Sequence, residues 1–261
     1  MLFTKISTIK IIYFSIFLII TLILPIFGTI FLKKKRKDSS IKYLFLGTLI
    51  YFIFVNILES IFNAIVFKNV SNTESYIFIL VTSIIASIFE TFGIFFGIKI
   101  FMKNDDIKSP NILMFIAGYA FFELIFIFGT TMINNIAYSF LFNSDNIEHL
   151  LENNNIGIEN LNIINLSLEN VTLKDLLLSF QERIVSILLQ AIFIYLIWIS
   201  IKTNNTIYIL IPFCMHIFSD FCLVSVFKIN KTILLLGTEV LICSIYIFIT
   251  IQISKKIKYK V

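Results

Sequence analysis

Long apolar runs dominate the chain, and short polar clusters interrupt them. Seven runs can cross a bilayer as helices: about residues 9–32, 41–66, 76–101, 110–142, 181–201, 206–227 and 232–253. A helical span needs about 20 predominantly apolar residues, and every run approaches or exceeds that length. The pattern predicts an all-α fold, a polytopic transmembrane helical bundle of about seven spans. An eighth hidden span or a re-entrant segment is the alternative count. On this reading residues 1–261 form a single membrane domain. The one long polar connection, 143–180, is expected as an extracytoplasmic loop. Leu161, Ile164 and Leu168 recur through it, so parts of it are expected as short surface helices. Its last part, Asn170–Phe180, reads as an amphipathic lead-in to the fifth span.

Polar positions inside the apolar runs carry the chemistry. The third run places Ser83, Ser87 and Glu90 on one helical face, with Thr91 beside the glutamate. The fourth holds Tyr119 and Glu123 at i, i+4. The fifth opens on Glu182-Arg183, and Ser186 and Gln190 continue the Glu182 face. The sixth holds His216 and Asp220 one turn apart within Ile211–Asp220. A charged side chain at the bilayer centre costs about 2.5–3.5 kcal/mol even on lenient scales. The four faces are therefore expected to converge on one interior cavity. Glu90, Glu123, Gln190 and His216 should then lie within about 10 Å of one another. Glu59 sits near the outer end of the second span, where its carboxylate can snorkel to water, and Glu239 lies deeper in the seventh. For both, a structural role is the simpler reading.

Composition narrows the class further. The chain is 58% hydrophobic with a mean hydropathy of +0.95, more apolar surface than a water-soluble domain needs. Its net charge of +5 is no nucleic-acid footprint, because the basic residues cluster at the span ends. Lys33–Lys37 with Lys42, then Lys99, Lys103 and Lys108, then Lys202, then the tail lysines fall on one side. Lys5, Lys10, Lys68, Lys174, Arg183, Lys228 and Lys231 fall on the other. Fourteen against seven places the N-terminus outside and the C-terminus in the cytoplasm of a multi-pass cell-membrane protein. The first run lacks a cleavage site and ends in a basic anchor, so it reads as a retained span. Cys214, Cys222 and Cys243 form no C-x-x-C pair and read as small core residues rather than metal ligands.

A cavity of this kind suits three chemistries. A histidine and carboxylates could hold zinc with a glutamate as general base. The carboxylates could relay protons through a transporter. The groups could also be hydrogen-bonding glue between helices. The zinc reading is short of nitrogen, since the chain has only two histidines and His149 lies in the outer loop.

Taken in order, these motifs resemble those of the YhfC-type intramembrane metallopeptidases, a branch of the clan that includes CAAX prenyl proteases and bacteriocin-processing enzymes. The resemblance covers about residues 10–250. The family's paired-glutamate motif, E-E-x-x-R in character, corresponds to Phe89-Glu90-Thr91-Phe92-Gly93, where one glutamate survives. Its next motif corresponds to Phe115, Gly118-Tyr119-Ala120 and Glu123, with Tyr119 in place of a histidine. Glu182-Arg183 is intact, but the histidine eight residues after the glutamate is Gln190. The last motif, His-x-x-x-Asp or Asn, is intact as His216 and Asp220.

The resemblance implies a bacterial membrane protein and an intramembrane peptidase site, but two of three histidine ligands are replaced. A phenol and a neutral amide are weak zinc ligands beside imidazole. The leading expectation is thus a degenerate site, a pseudoenzyme, with a binding, accessory or scaffolding role and no cofactor. Tyr119, Glu182, Arg183, Gln190 and Asp220 would line its cavity, with His216 at most a weak metal ligand. The alternative is an active zinc-dependent peptidase, with Glu90 as base and Glu123, His216 and Asp220 as ligands. A second alternative is a small proton-coupled transporter running through Glu90, Glu123 and Asp220. Partners on these readings are the lipid bilayer and a peptide substrate or another membrane protein such as a transporter subunit, with no nucleic acid.

Overall fold

The computed structural model describes residues 3–68, 70, 75–102, 109–144, 158–228 and 232–258. His149, the loop acids Asp145, Glu148 and Glu152, and the basic residues Lys103, Lys108, Lys231 and Lys260 lie outside them. Every regular element among the described residues is helical. In a bilayer this is the only arrangement short of a closed barrel that satisfies each backbone polar group. The helices are α1 (Thr8–Lys35), α2 (Lys42–Val66), α3 (Tyr76–Phe101), α4 (Ser109–Asn143), α5 (Ile158–Asn170), α6 (Leu173–Thr203), α7 (Ile207–Lys228) and α8 (Thr232–Lys258). All but α5 are long and apolar enough to cross a membrane, which gives the seven spans expected of a polytopic bundle. Apolar side chains such as Ile26, Phe31 and Phe248 point outward, as a lipid-facing surface requires.

Two spans contain a local change of winding. Helix α2 is π-helical over Phe52–Glu59, and α4 over Ile125–Gly129. Such stretches shift the register of the side chains that follow and often fall at functional sites. Helix α6 begins at Leu173, well before residue 181, so the amphipathic lead-in is continuous with the span. Its start is set by a reciprocal cap. Thr172 N–H donates to Asp175 Oδ2 at 2.9 Å, and Asp175 N–H donates back to Thr172 Oγ1 at 3.3 Å. Helix α6 ends at Asn204, whose φ of 52° is left-handed, and Asn205 N–H then reaches back to the Ser200 carbonyl at 3.1 Å.

The chain divides into two compact units. The first comprises Met1–Gly28 and Glu123–Ile184. Here α5 is packed rather than laid on the surface, with Leu161, Asn165 and Leu168 buried on one face. Asn165 bonds the backbone of Thr4 in both directions, and Asn143 does the same for Ile6. Lys10 caps the end of α5 through the carbonyls of Leu168 and Glu169, favourable at a helix C-terminus. The rings of Phe17, Phe128 and Phe180 pack on one another.

The second unit comprises Thr29–Phe122 and Val185–Val261. Its core gathers Tyr43, Ile50, Tyr51, Ile94, Ile98, Met114, Phe115, Tyr119 and Ile197. Helices α2 and α4 approach until backbone meets backbone. A Cβ on Gly118 would land on the Leu44 carbonyl, and one on Gly47 would land on the Phe115 carbonyl. Small residues permit this contact, the usual route to tight helix pairing in membranes. Thr48 adds a hydrogen bond to the Gly118 carbonyl at 3.1 Å. Tyr119, the next residue, is thereby fixed in depth and direction. Helix α3 meets α2 through Gly93 against Phe54 and Gly97 against Ile50.

The cysteines depart from the core expectation. Cys214 is exposed, while Cys222 and Cys243 are half-buried against the Leu189–Phe193–Tyr246 cluster, and all three thiols are free.

Candidate functional site

The second unit brings Glu90, Tyr119, Gln190, His216 and Asp220 together. Glu90 is the centre. Its Oε2 accepts from Gln190 Nε2 at 2.6 Å and from the Tyr119 hydroxyl at 3.2 Å. Its Oε1 lies 3.7 Å from His216 Nε2, which is 3.2 Å from Asp220 Oδ2. Glu90, Tyr119, Gln190 and His216 are all buried, whereas the Asp220 side chain is 34% exposed. Asp220 is thus the most accessible member of the cluster.

Each side chain is held by local packing. The His216 ring stacks on Phe193 at 5.0 Å, and Tyr51 meets Tyr119 edge-on at 5.0 Å. The Tyr246 hydroxyl donates to the Met215 carbonyl at 2.6 Å, tying α8 to α7 beside the histidine. The hydroxyls of Ser83 and Ser87 share the face of Glu90 but stay within α3. They donate to the carbonyls of Ile79 and Ser83 at 2.8 and 2.7 Å.

The remaining expected site residues form a second cluster in the first unit. Arg183 donates to Glu182 Oε1 at 2.8 Å and lies 3.9 Å from Glu123 Oε1. Glu123 is buried, so Arg183 supplies its charge partner.

Glu59 lies on the π-helical stretch of α2 that packs against α3, a placement that sequence reasoning passed over. Its Oε2 is closed off from solvent rather than snorkelling outward. One turn further along α2, Phe62 packs on Phe89, the neighbour of Glu90, which aligns the two helices there. Asn63 Nδ2 donates to Glu59 Oε1 at 3.5 Å. The available signal was Asn56 and Asn63 at i−3 and i+4 from Glu59, a polar face within an apolar run.

The donor set is a poor match to zinc. It offers one imidazole, and its Nε2 lies at hydrogen-bonding distance from Asp220 Oδ2. In this arrangement the ring nitrogen is placed to donate to the Asp220 carboxylate. Glu90 Oε2 already accepts two hydrogen bonds. Among the described residues no three His, Cys, Asp or Glu side chains are grouped to hold a metal ion.

No solved structure matches the chain significantly. A curated relative, described as an uncharacterized membrane protein YhfC of Bacillus subtilis (strain 168), is 28% identical over 202 residues, covering 76% of this chain and 77% of its own. The model of the YhfC intramembrane metalloprotease family matches residues 20–242, most of the chain and all of the polar motifs. The chain is a multi-pass membrane protein that belongs to the YhfC intramembrane metalloprotease family.

Proposed function

We propose that this member of the family binds through its buried polar cluster rather than hydrolysing, and serves as an accessory or scaffolding component in the membrane. The observation that carries the reading is what stands at the two altered positions. Tyr119 and Gln190 both turn their donors onto Glu90 Oε2. Both replacements thus tie Glu90 into a hydrogen-bonded network between helices, which supports binding over hydrolysis. On this reading the cluster works as a hydrogen-bonded network whose most accessible member is Asp220.

The fourteen-to-seven bias of basic residues supports an outward N-terminus and a cytoplasmic C-terminus. A reporter fused to the C-terminus tests that orientation.

The functional reading is tested by the zinc content of protein purified from zinc-supplemented cells. Trace zinc, unchanged in His216→Ala, is expected. Near-stoichiometric zinc that is lost in His216→Ala would contradict the reading and favour an active peptidase.

A further inference from the structure

In the first unit, the residues just before α1 are not helical, yet their backbone is held at both Thr4 and Ile6. Thr4 N–H donates to Asn165 Oδ1 at 3.0 Å, and Asn165 Nδ2 donates to the Thr4 carbonyl at 2.9 Å. Two residues on, Ile6 N–H donates to Asn143 Oδ1 at 2.7 Å, and Asn143 Nδ2 donates to the Ile6 carbonyl at 2.9 Å. A residue that turns both its N–H and its C=O to one neighbour, and again at i+2, is bonded like a strand in an antiparallel pair. The two carboxamides stand in for the backbone of the missing neighbour strand. Asn143 closes α4 and Asn165 lies in α5, and these two elements pack on each other.

The side chains divide into seated and free. Phe3 and Ile6 are 5% and 3% exposed, with the Phe3 ring 5.2 Å from that of Phe142, whereas Thr4 and Lys5 are exposed. Thr4 Oγ1 adds bonds to Asn165 Oδ1 and Glu169 Oε2, both at 2.9 Å. Asn165 is itself only 4% exposed, and both ends of its amide are spent on Thr4. Packing alone would be served by an apolar residue there, without the cost of burying an amide. A buried carboxamide aimed at main chain recognises backbone, whatever side chains that backbone carries.

We propose that the end of α4 and α5 form a peptide-binding seat, occupied here by the chain's own Phe3–Ile6. The seat accepts an extended segment of a partner protein that carries an aromatic residue and, three positions later, an aliphatic one. Main-chain bonds to the two asparagines give affinity, and the Phe3 and Ile6 positions give selectivity. Residues 3–6 lie outside α1, so a competing segment displaces them without unwinding it. The proposal is independent of how the Glu90 cluster works.

The test is fluorescence anisotropy of the peptide acetyl-Phe-Thr-Lys-Ile-Ser-amide, dye-labelled on its lysine, with the purified full chain in detergent micelles. Phe3→Asp/Ile6→Asp drives the resident segment off the seat, so it should bind the peptide about ten-fold or more tightly than wild type. The same peptide N-methylated at threonine and isoleucine lacks two N–H donors and should bind that variant about ten-fold or more weakly. If the double variant does not fold, Ile6→Ala carries the same comparison, with a gain of about three-fold or more over wild type. Equal binding by wild type and variant, equal binding of the methylated peptide, or no binding up to the solubility limit would overturn the proposal. So would a wild-type dimer that becomes monomeric in Phe3→Asp/Ile6→Asp, since the seat would then serve a second copy of the chain.

Discussion

Gln190 donates its amide N–H to Glu90 Oε2 at 2.6 Å across 100 residues of sequence, and so joins α6 to α3. Removing one partner of a buried hydrogen bond leaves the other unsatisfied, at a cost of about 1–3 kcal/mol. In a site with little water the bond also decides which lone pairs of Glu90 stay available. The two residues thus link the stability of the second unit to the chemistry of the cluster.

Gln190→Leu should destabilise the protein by about 1–3 kcal/mol, and Tyr119→Phe, at the longer contact, by about 0.5–1.5 kcal/mol. The two changes should not add, since both donors meet on one oxygen. Denaturant unfolding in mixed micelles, run as a double-mutant cycle, measures this. Fully additive effects would mean the donors do not share Glu90.

The pairing of α2 with α4 is a packing prediction. Gly47→Ala and Gly118→Ala each drive a methyl group into a facing carbonyl, so each should cost about 1–3 kcal/mol or more. Gly237→Ala has open space within 4 Å and should be neutral, or stabilising by up to about 1 kcal/mol. Thermal unfolding of the three variants should separate the first two from the third.

Arg183 offers a charge test. Removing it leaves Glu123 buried beside no guanidinium, so Arg183→Ala should cost about 1–3 kcal/mol. Glu123→Gln in the same background should restore part of the loss, because a neutral amide tolerates burial better than a carboxylate that has lost its guanidinium. If the double variant is no more stable than Arg183→Ala alone, the ion pair is not the source of the effect.

The seven spans were legible in the sequence because the length of an apolar run is a one-dimensional property. The early start of α6 was not, although the Thr172–Asp175 cap was in plain sight. Hydropathy reports where a helix is apolar, not where it begins. The convergence of Glu90, Gln190 and His216 followed from the high cost of facing polar groups toward lipid, whereas Glu123, expected with them, is seen paired with Arg183 in the first unit. Ser83 and Ser87 share the Glu90 face, yet their hydroxyls stay at home, since a carbonyl one turn back is always within reach. Glu59 went unread as a site residue because its place near a span end suggests an escape to water. Its burial comes with a π-helical stretch of α2 packed on α3, a matter of three-dimensional packing that no spacing rule encodes.

The most direct measurement is zinc affinity by equilibrium titration of wild type beside a Tyr119→His/Gln190→His double variant. If the cluster is a hydrogen-bonded network short of imidazoles, wild type should bind zinc weakly and the double variant should gain more than about 100-fold, since first-shell changes exceed the 10–100-fold typical of outer-shell ones. Tight, stoichiometric binding by wild type, with no gain in the double variant, would contradict the account.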